Sequence, residues 1–158
     1  SKNPVFNTSY GNIQQELDAM GISTLTIKSI SDAVIRIRQS KLPDPVVIGN
    51  AGSFFKNPLI DNDAFNALLI QFPDMPSYKN EHGVKIPAAW LIEHCGPENS
   101  SSWKGFREQN FGVHSKQALC LVNYSDASGK DIFNLSERII TSVQHAFNIT
   151  LEREVNIW

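Results

Sequence analysis

Cysteine is scarce. The two in 158 residues, Cys95 and Cys120, are too few for a disulfide framework and too far apart in sequence for a zinc or redox pair. Both read as buried thiols of a protein kept in a reducing cytoplasm. The four histidines are scattered without ligand spacing, so no metal site is expected. An excess of charge of either sign is missing too. Lys and Arg number 14 against 16 Asp and Glu, a formal net charge of -2, so there is no overall basic field to hold nucleic acid or an anionic membrane. Any anionic ligand must be met locally. No apolar run approaches the ~20 residues that span a bilayer, and the start lacks the basic, apolar and small-residue order of a signal peptide. No initiator methionine stands at Ser1, which leads us to expect processing or a start inside a longer protein.

What is present suffices for one ordinary core, with 41% hydrophobic and 19% charged residues. The clearest punctuation is Pro43-Asp44-Pro45, where helix cannot continue, and a domain junction is expected there. Before it, helix is expected over 12–20, stopped by Gly21, then a strand-like Leu25-Thr26-Ile27. A second helix is expected from Ser31 to Leu42, with Ala33, Val34 and Ile37 at helical spacing and Arg36, Arg38 and Lys41 near its C-terminal end. Beyond the prolines, Val46-Val47-Ile48 reads as a strand entering the turn Gly49-Asn50-Ala51-Gly52-Ser53. Helix is expected over 63–72, capped by Asp61 or Asn62, and over 87–94, with polar loops over 73–83 and 98–112. A buried strand over 118–122 precedes the longest helix, 131–147, whose stripe is Ile132, Leu135, Ile139, Val143 and Phe147. The last segment, 150–157, reads as a strand with Leu151, Arg153, Val155 and Ile157 on one face and Glu152, Glu154 and Asn156 on the other.

The Gly49 to Ser53 turn has neither the spacing of a phosphate loop nor that of a serine hydrolase elbow. By itself it is a tight turn with a capping serine. A hydroxyl there can still give a proton to a developing carbanion if a cation stabilises the alkoxide, and Lys41 and Lys56 flank it. Each lysine also reads as a solvated surface charge. Glu152 and Glu154 share a strand face, which is either a solvent edge or one wall of a cleft. Trp90 and Trp103 read as packing residues.

Longer strings carry a resemblance. Lys41-Leu42-Pro43-Asp44-Pro45 with Gly49-Asn50-Ala51-Gly52-Ser53-Phe54-Phe55-Lys56-Asn57-Pro58, then Lys85-Ile86-Pro87-Ala88-Ala89-Trp90-Leu91-Ile92-Glu93, Trp103-Lys104-Gly105, Gly112-Val113-His114-Ser115-Lys116-Gln117-Ala118-Leu119 and Leu151-Glu152-Arg153-Glu154-Val155 resemble the MurB family of UDP-N-acetylmuramate dehydrogenases. The resemblance implies an oxidoreductase of peptidoglycan precursor synthesis in the bacterial cytoplasm, in which NADPH reduces FAD and the flavin reduces the enolpyruvyl ether of UDP-N-acetylglucosamine. It implies Ser53 as proton donor and Glu154 as catalytic carboxylate. Lys41, Asn57, Tyr78, Lys85 and Gln117 match positions that contact the nucleotide-sugar or support the serine, Tyr78 by its spacing after Phe72-Pro73. The family's catalytic arginine lies upstream of the matched strings.

The implied fold is a mixed α+β substrate-binding domain, residues 43–148. Residues 1–42 would be part of a second FAD-binding subdomain, and 149–158 its returning strand. Most of the flavin site would then lie outside this chain, which is expected to be inactive alone and prone to pair through exposed sheet edges. The alternatives are a non-catalytic nucleotide-sugar binding module and, more distantly, a hydrolase with Ser53 as nucleophile.

Overall fold

Helix entry in this chain is written in short-range hydrogen bonds, and the first case corrects an expectation. In the computed structural model, which describes residues 4–9, 11–98 and 100–157, helix α1 is Ile13–Ala19 and α2 is Ile27–Lys41. Leu25-Thr26-Ile27 is therefore not a strand. The Thr26 hydroxyl accepts from the Ser29 amide at 3.0 Å, and the Ser29 hydroxyl accepts from the Thr26 amide at 2.9 Å. This reciprocal cap satisfies two donors at the helix start and outweighs the β preference of the branched side chains. The far end is as expected, with Leu42 extended at ψ 143° before Pro43.

The chain divides into two units, Ser1–Leu42 and Pro43–Trp158. In the first, Leu17 and Ala33 are fully buried between the helices, and Arg36 pairs with Glu16 at 2.7 Å.

The second unit opens with another correction. Val46-Val47-Ile48 is a turn, because Asp44 captures it: the amides of Val47 and Ile48 donate to the Asp44 carbonyl and that of Val46 to its carboxylate at 2.9 Å. Val46 is left 91% exposed. The remaining elements are β1 (Gly49–Ser53), β2 (Leu59–Ile60), α3 (Asn62–Gln71), β3 (Tyr78–Asn80), β4 (Gly83–Lys85), α4 (Ala88–Glu93), β5 (Arg107–Glu108), β6 (Phe111–Val113), β7 (Cys120–Asn123) and α5 (Gly129–Phe147). One sheet runs β1-β7-β6-β5 and the other β2-β4-β3, with every pairing antiparallel. The unit is an α+β fold, as expected.

The segments read as polar loops, 73–83 and 98–112, hide β3, β5 and the ends of β4 and β6. These strands have two or three residues each, and Tyr78–Asn80 is exposed throughout, so no apolar alternation marks them. Gly83 is the backbone clue: at φ +140° a Cβ there would meet the Ile60 carbonyl oxygen at 2.4 Å.

α5 packs over β6 and β7 and against α4. Leu135, Ile139, Val143 and Phe147 join Phe55, Ile86, Leu91, Trp103, Val113 and Leu121 in the core. Ile132 of the expected stripe is only partly buried, and Ser136 is fully buried in the same face. A Ser128–Asp131 capping box starts α5, and Asn148 closes it in the left-handed conformation, φ 55°. Cys95 and Cys120 are buried free thiols, and burial pushes Cys95 up to about 12. No described helix is long and apolar enough to cross a membrane.

Residues 150–157 are not a full strand. They make one antiparallel bridge, Arg153 with Phe55. The expected alternation survives in burial: Leu151 is buried, Arg153 and Val155 half-buried, and Glu152, Glu154 and Asn156 exposed, although Ile157 is exposed as well.

Candidate active site

The site is best built from Gly52. Its φ of +73° suits a residue without a side chain. Between Asn50↔Val122 and Ser53↔Cys120 the β1–β7 register slips, so β1 carries an extra residue at Ala51–Gly52. Such a bulge bends the strand and re-aims the residues after it. The Asn50 side chain braces it, accepting from the Gly52 amide at 3.0 Å and donating to the Ile48 carbonyl at 2.9 Å. The glycine turn seen in the sequence is therefore a bulged strand that delivers Ser53 to its end.

From Ser53 the chain changes partners every one or two residues. The Phe54 amide donates to the Leu119 carbonyl at 2.8 Å, and the Phe54 carbonyl accepts from the Glu154 amide at 2.9 Å. The Lys56 amide donates to the Glu152 carbonyl at 2.8 Å, and the two side chains form an ion pair. The Asn57 side-chain oxygen accepts from the Ala88 amide at 2.8 Å, so a distant asparagine caps α4 in place of Pro87, which has no side-chain cap to offer. The Pro58 carbonyl accepts from the Ile86 amide at 3.0 Å. Finally Leu59 pairs with Lys85, which pairs on its other side with Tyr78.

One run, Ser53–Ile60, thus gathers segments distant in sequence. Ser53 stands at its head, and the Glu154 amide is bonded to the carbonyl of the next residue, Phe54. Gln117 holds the turn before β7, its carbonyl accepting from the Cys120 amide and its side chain from the Leu119 amide at 3.2 Å. Asn57, Lys85 and Tyr78 come next along the run. Ser53, Asn57, Tyr78, Lys85 and Glu154 are exposed and Gln117 is half-buried. Lys41 lies at the end of α2 in the first unit and is exposed. Lys56, a candidate cation for the serine, is engaged with Glu152.

His114 sits near this junction, its amide donating to the Cys120 carbonyl at 2.9 Å. Burial, with Lys116 beside it, holds its imidazole below the ordinary value, and it makes no hydrogen bond to Ser53. Among the described residues no group of three His, Cys, Asp or Glu could hold a metal ion. A cavity of about 500 Å³ opens beside β1, walled by Asn50, Phe54, Leu121, Ile132 and Val155 among others; neither Ser53 nor Glu154 lines it. The sequence strings found the residues along the run. They missed the helix cap made by Asn57 and the partners of Arg153, because both depend on contacts across long stretches of chain.

Antiparallel sheets and helices, with polar side chains along one connecting run, define an α+β unit. The comparisons name its kind: residues 44–158 match the family model described as UDP-N-acetylenolpyruvoylglucosamine reductase, C-terminal domain, and the chain belongs to that family. It is 50% identical over 158 residues to the UDP-N-acetylenolpyruvoylglucosamine reductase of Amoebophilus asiaticus (strain 5a2), covering 99% of this chain and 45% of that protein. The reductase of the same name from Flavobacterium johnsoniae is 48% identical over 157 residues, again 99% of this chain and 45% of that protein. That of Porphyromonas gingivalis (strain W83) is 48% identical over 153 residues, 96% of this chain and 43% of the relative. The chain therefore spans less than half the length of these curated relatives.

Proposed function

We propose that this chain is the substrate-facing part of an FAD-dependent, NADPH-linked reductase that converts UDP-N-acetylglucosamine enolpyruvate to UDP-N-acetylmuramate, a step of peptidoglycan precursor synthesis in the bacterial cytoplasm. The observation that carries the reading is the Ser53–Ile60 run, which puts Ser53, Glu154, Gln117, Asn57, Lys85 and Tyr78 on segments hydrogen-bonded to one another. A non-catalytic binding module is the less favoured reading, since the relatives carry a reductase name over 94–99% of this chain.

Reducing the vinyl ether adds one hydride and one proton across the C=C bond. This chain supplies the proton. The Ser53 hydroxyl donates it to the second vinyl carbon, and the carboxylate of Glu154, whose amide is bonded to the Phe54 carbonyl, sets the polarity of the reacting group. Lys85 and Tyr78, neighbours across β4 and β3, offer a cation and a phenol to the anionic nucleotide. Asn57 has its oxygen committed to Ala88, which leaves its amide N–H groups to donate. Lys41, at the end of α2, is a further position that the family resemblance implies for the substrate.

FAD itself does not fit on the described residues. Ser53 and Glu154 are exposed, whereas hydride transfer needs a slot closed to water. Most of the residues that would hold the cofactor then lie in the part of the relatives that this chain does not cover. On this reading 1–42 and 149–158 belong with a flavin-binding subdomain, and 43–148 is the substrate domain.

Ser53→Ala in a full-length reductase carrying this sequence tests the reading. Product formation should fall by about 10²–10⁴-fold, the usual worth of a positioned general acid, while the enolpyruvyl substrate still binds. Wild-type kcat in that variant would refute it.

A further inference from the structure

A buried hydroxyl in an apolar helix face requires a reason. Ser136 is fully buried in the core stripe of α5. Its hydroxyl donates to the Phe133 carbonyl at 2.6 Å, which leaves its oxygen free to accept, and it accepts from Arg153 Nε at 2.8 Å. The same guanidinium pairs through a terminal nitrogen with Glu137 and lies over the Phe133 ring, 4.6 Å from its centroid. Residues 133, 136 and 137 are spaced i, i+3 and i+4, so one face of α5 presents a ring, a hydroxyl and a carboxylate to a single side chain. Arg153 is held there with its side chain only 21% exposed.

Its main chain is held from the other side by the bridge to Phe55. Successive residues of an extended segment face opposite ways. With Arg153 turned onto α5, Glu152 and Glu154 are turned away from it, and both are exposed. Besides this dock the segment is held by Leu151 buried in the core, Val155 packed against it, one bridge, two flanking main-chain hydrogen bonds and the Lys56–Glu152 pair. That pair is 50% and 71% exposed and of a kind that contributes little.

We propose that Arg153 is a positioning residue for Glu154: by docking on Phe133, Ser136 and Glu137 it fixes the direction in which the neighbouring carboxylate faces. This rests on the role given to Glu154 above. Lysine cannot replace it, because the contact needs a planar fork that reaches two acceptors while lying on a ring.

The test uses a full-length reductase carrying this sequence. Arg153→Met should lower kcat about tenfold or more, as a misplacement near 1 Å does, with KM for the enolpyruvyl substrate little changed. Arg153→Lys should recover only part of the loss, and Ser136→Ala should show a smaller loss in the same direction. In a Glu154→Gln background Arg153→Met should cost nothing further. Hydrogen exchange of the Glu154 amide, which donates to Phe54, should speed up in Arg153→Met and reads the clamp without turnover. If Glu154→Gln is crippled while Arg153→Met turns over normally, or if Arg153→Met costs the same factor in both backgrounds, the positioning role is wrong and the reading of Glu154 stands. If Glu154→Gln itself turns over normally, the reading of Glu154 falls and the positioning role falls with it.

Discussion

Ser1–Leu42 and Pro43–Trp158 are stabilised on different terms. In the first unit Leu17 and Ala33 are the buried hydrophobic side chains among the described residues, and Ile27 and Ile35 of α2 are 66% and 48% exposed. Beside that small core it has the local Thr26–Ser29 cap and the Glu16–Arg36 pair between its two helices. The second unit holds a continuous core from Phe54 to Leu151, closed by pairings between residues as distant as Phe55 and Arg153. Local devices make helices, but the site proposed from residues 53, 57, 78, 85, 117 and 154 requires long-range pairing, and those residues lie in the unit that has it.

The largest effect that could break this contrast is in the core. Phe55→Ala should cost about 3–5 kcal/mol, since it leaves a cavity under the bridge to Arg153, and urea unfolding of the second unit should report it. Leu17→Ala, a comparable truncation in the first unit, should leave the unfolding midpoint of the second unchanged. A shift of both transitions by either variant would show that the units share one cooperative structure.

Next in size are the caps. Ser128→Ala should lose about 1 kcal/mol, the usual worth of such a residue, and the loss should appear in the second unit's transition. Thr26→Ala should lose a similar amount from α2 alone, visible as helical circular dichroism lost at low denaturant. The Ser128 cap also has a pH signature. Hydrogen bonds from the Ser128 side chain and backbone hold the Asp131 carboxyl below its ordinary 3.8. A depressed folded-state value means that the unfolded chain takes the proton first, so this contribution is present above the ordinary value and is lost as the pH falls through the folded one. Below about pH 4, Ser128→Ala should thus unfold with a weaker acid dependence than the parent.

The smallest effect is chemical. With its thiol pushed up to about 12 by burial, Cys95 should resist a disulfide reagent in the native state and react once urea opens the second unit. Prompt native-state labelling at Cys95 would contradict the core as described.

Legibility in the sequence divides along the same line. Helices with a cap and an apolar stripe were readable to within a few residues: α3 at Asp61, α4 after Pro87, α5 down to Phe147. Where the sequence misled, a hydrogen bond from a neighbouring polar side chain won over β propensity, as Thr26 did for Leu25-Thr26-Ile27 and Asp44 for Val46-Val47-Ile48. Short strands such as Arg107–Glu108 carry no period that a sequence could show. The bulge at Gly52 was visible as glycine, though not as part of a strand. The residues of the candidate site were legible only as strings shared with a family. Their grouping along Ser53–Ile60, and the anchoring of Arg153 on Ser136, became visible with the fold.

Central to this account is that the chain holds the nucleotide-sugar and gives the proton, while the hydride comes from elsewhere. The most direct measurement is NADPH oxidation by the 158-residue chain supplied with FAD and UDP-N-acetylglucosamine enolpyruvate. The account expects no oxidation above the rate without protein. Substrate-dependent oxidation that scales with the concentration of the chain would contradict it.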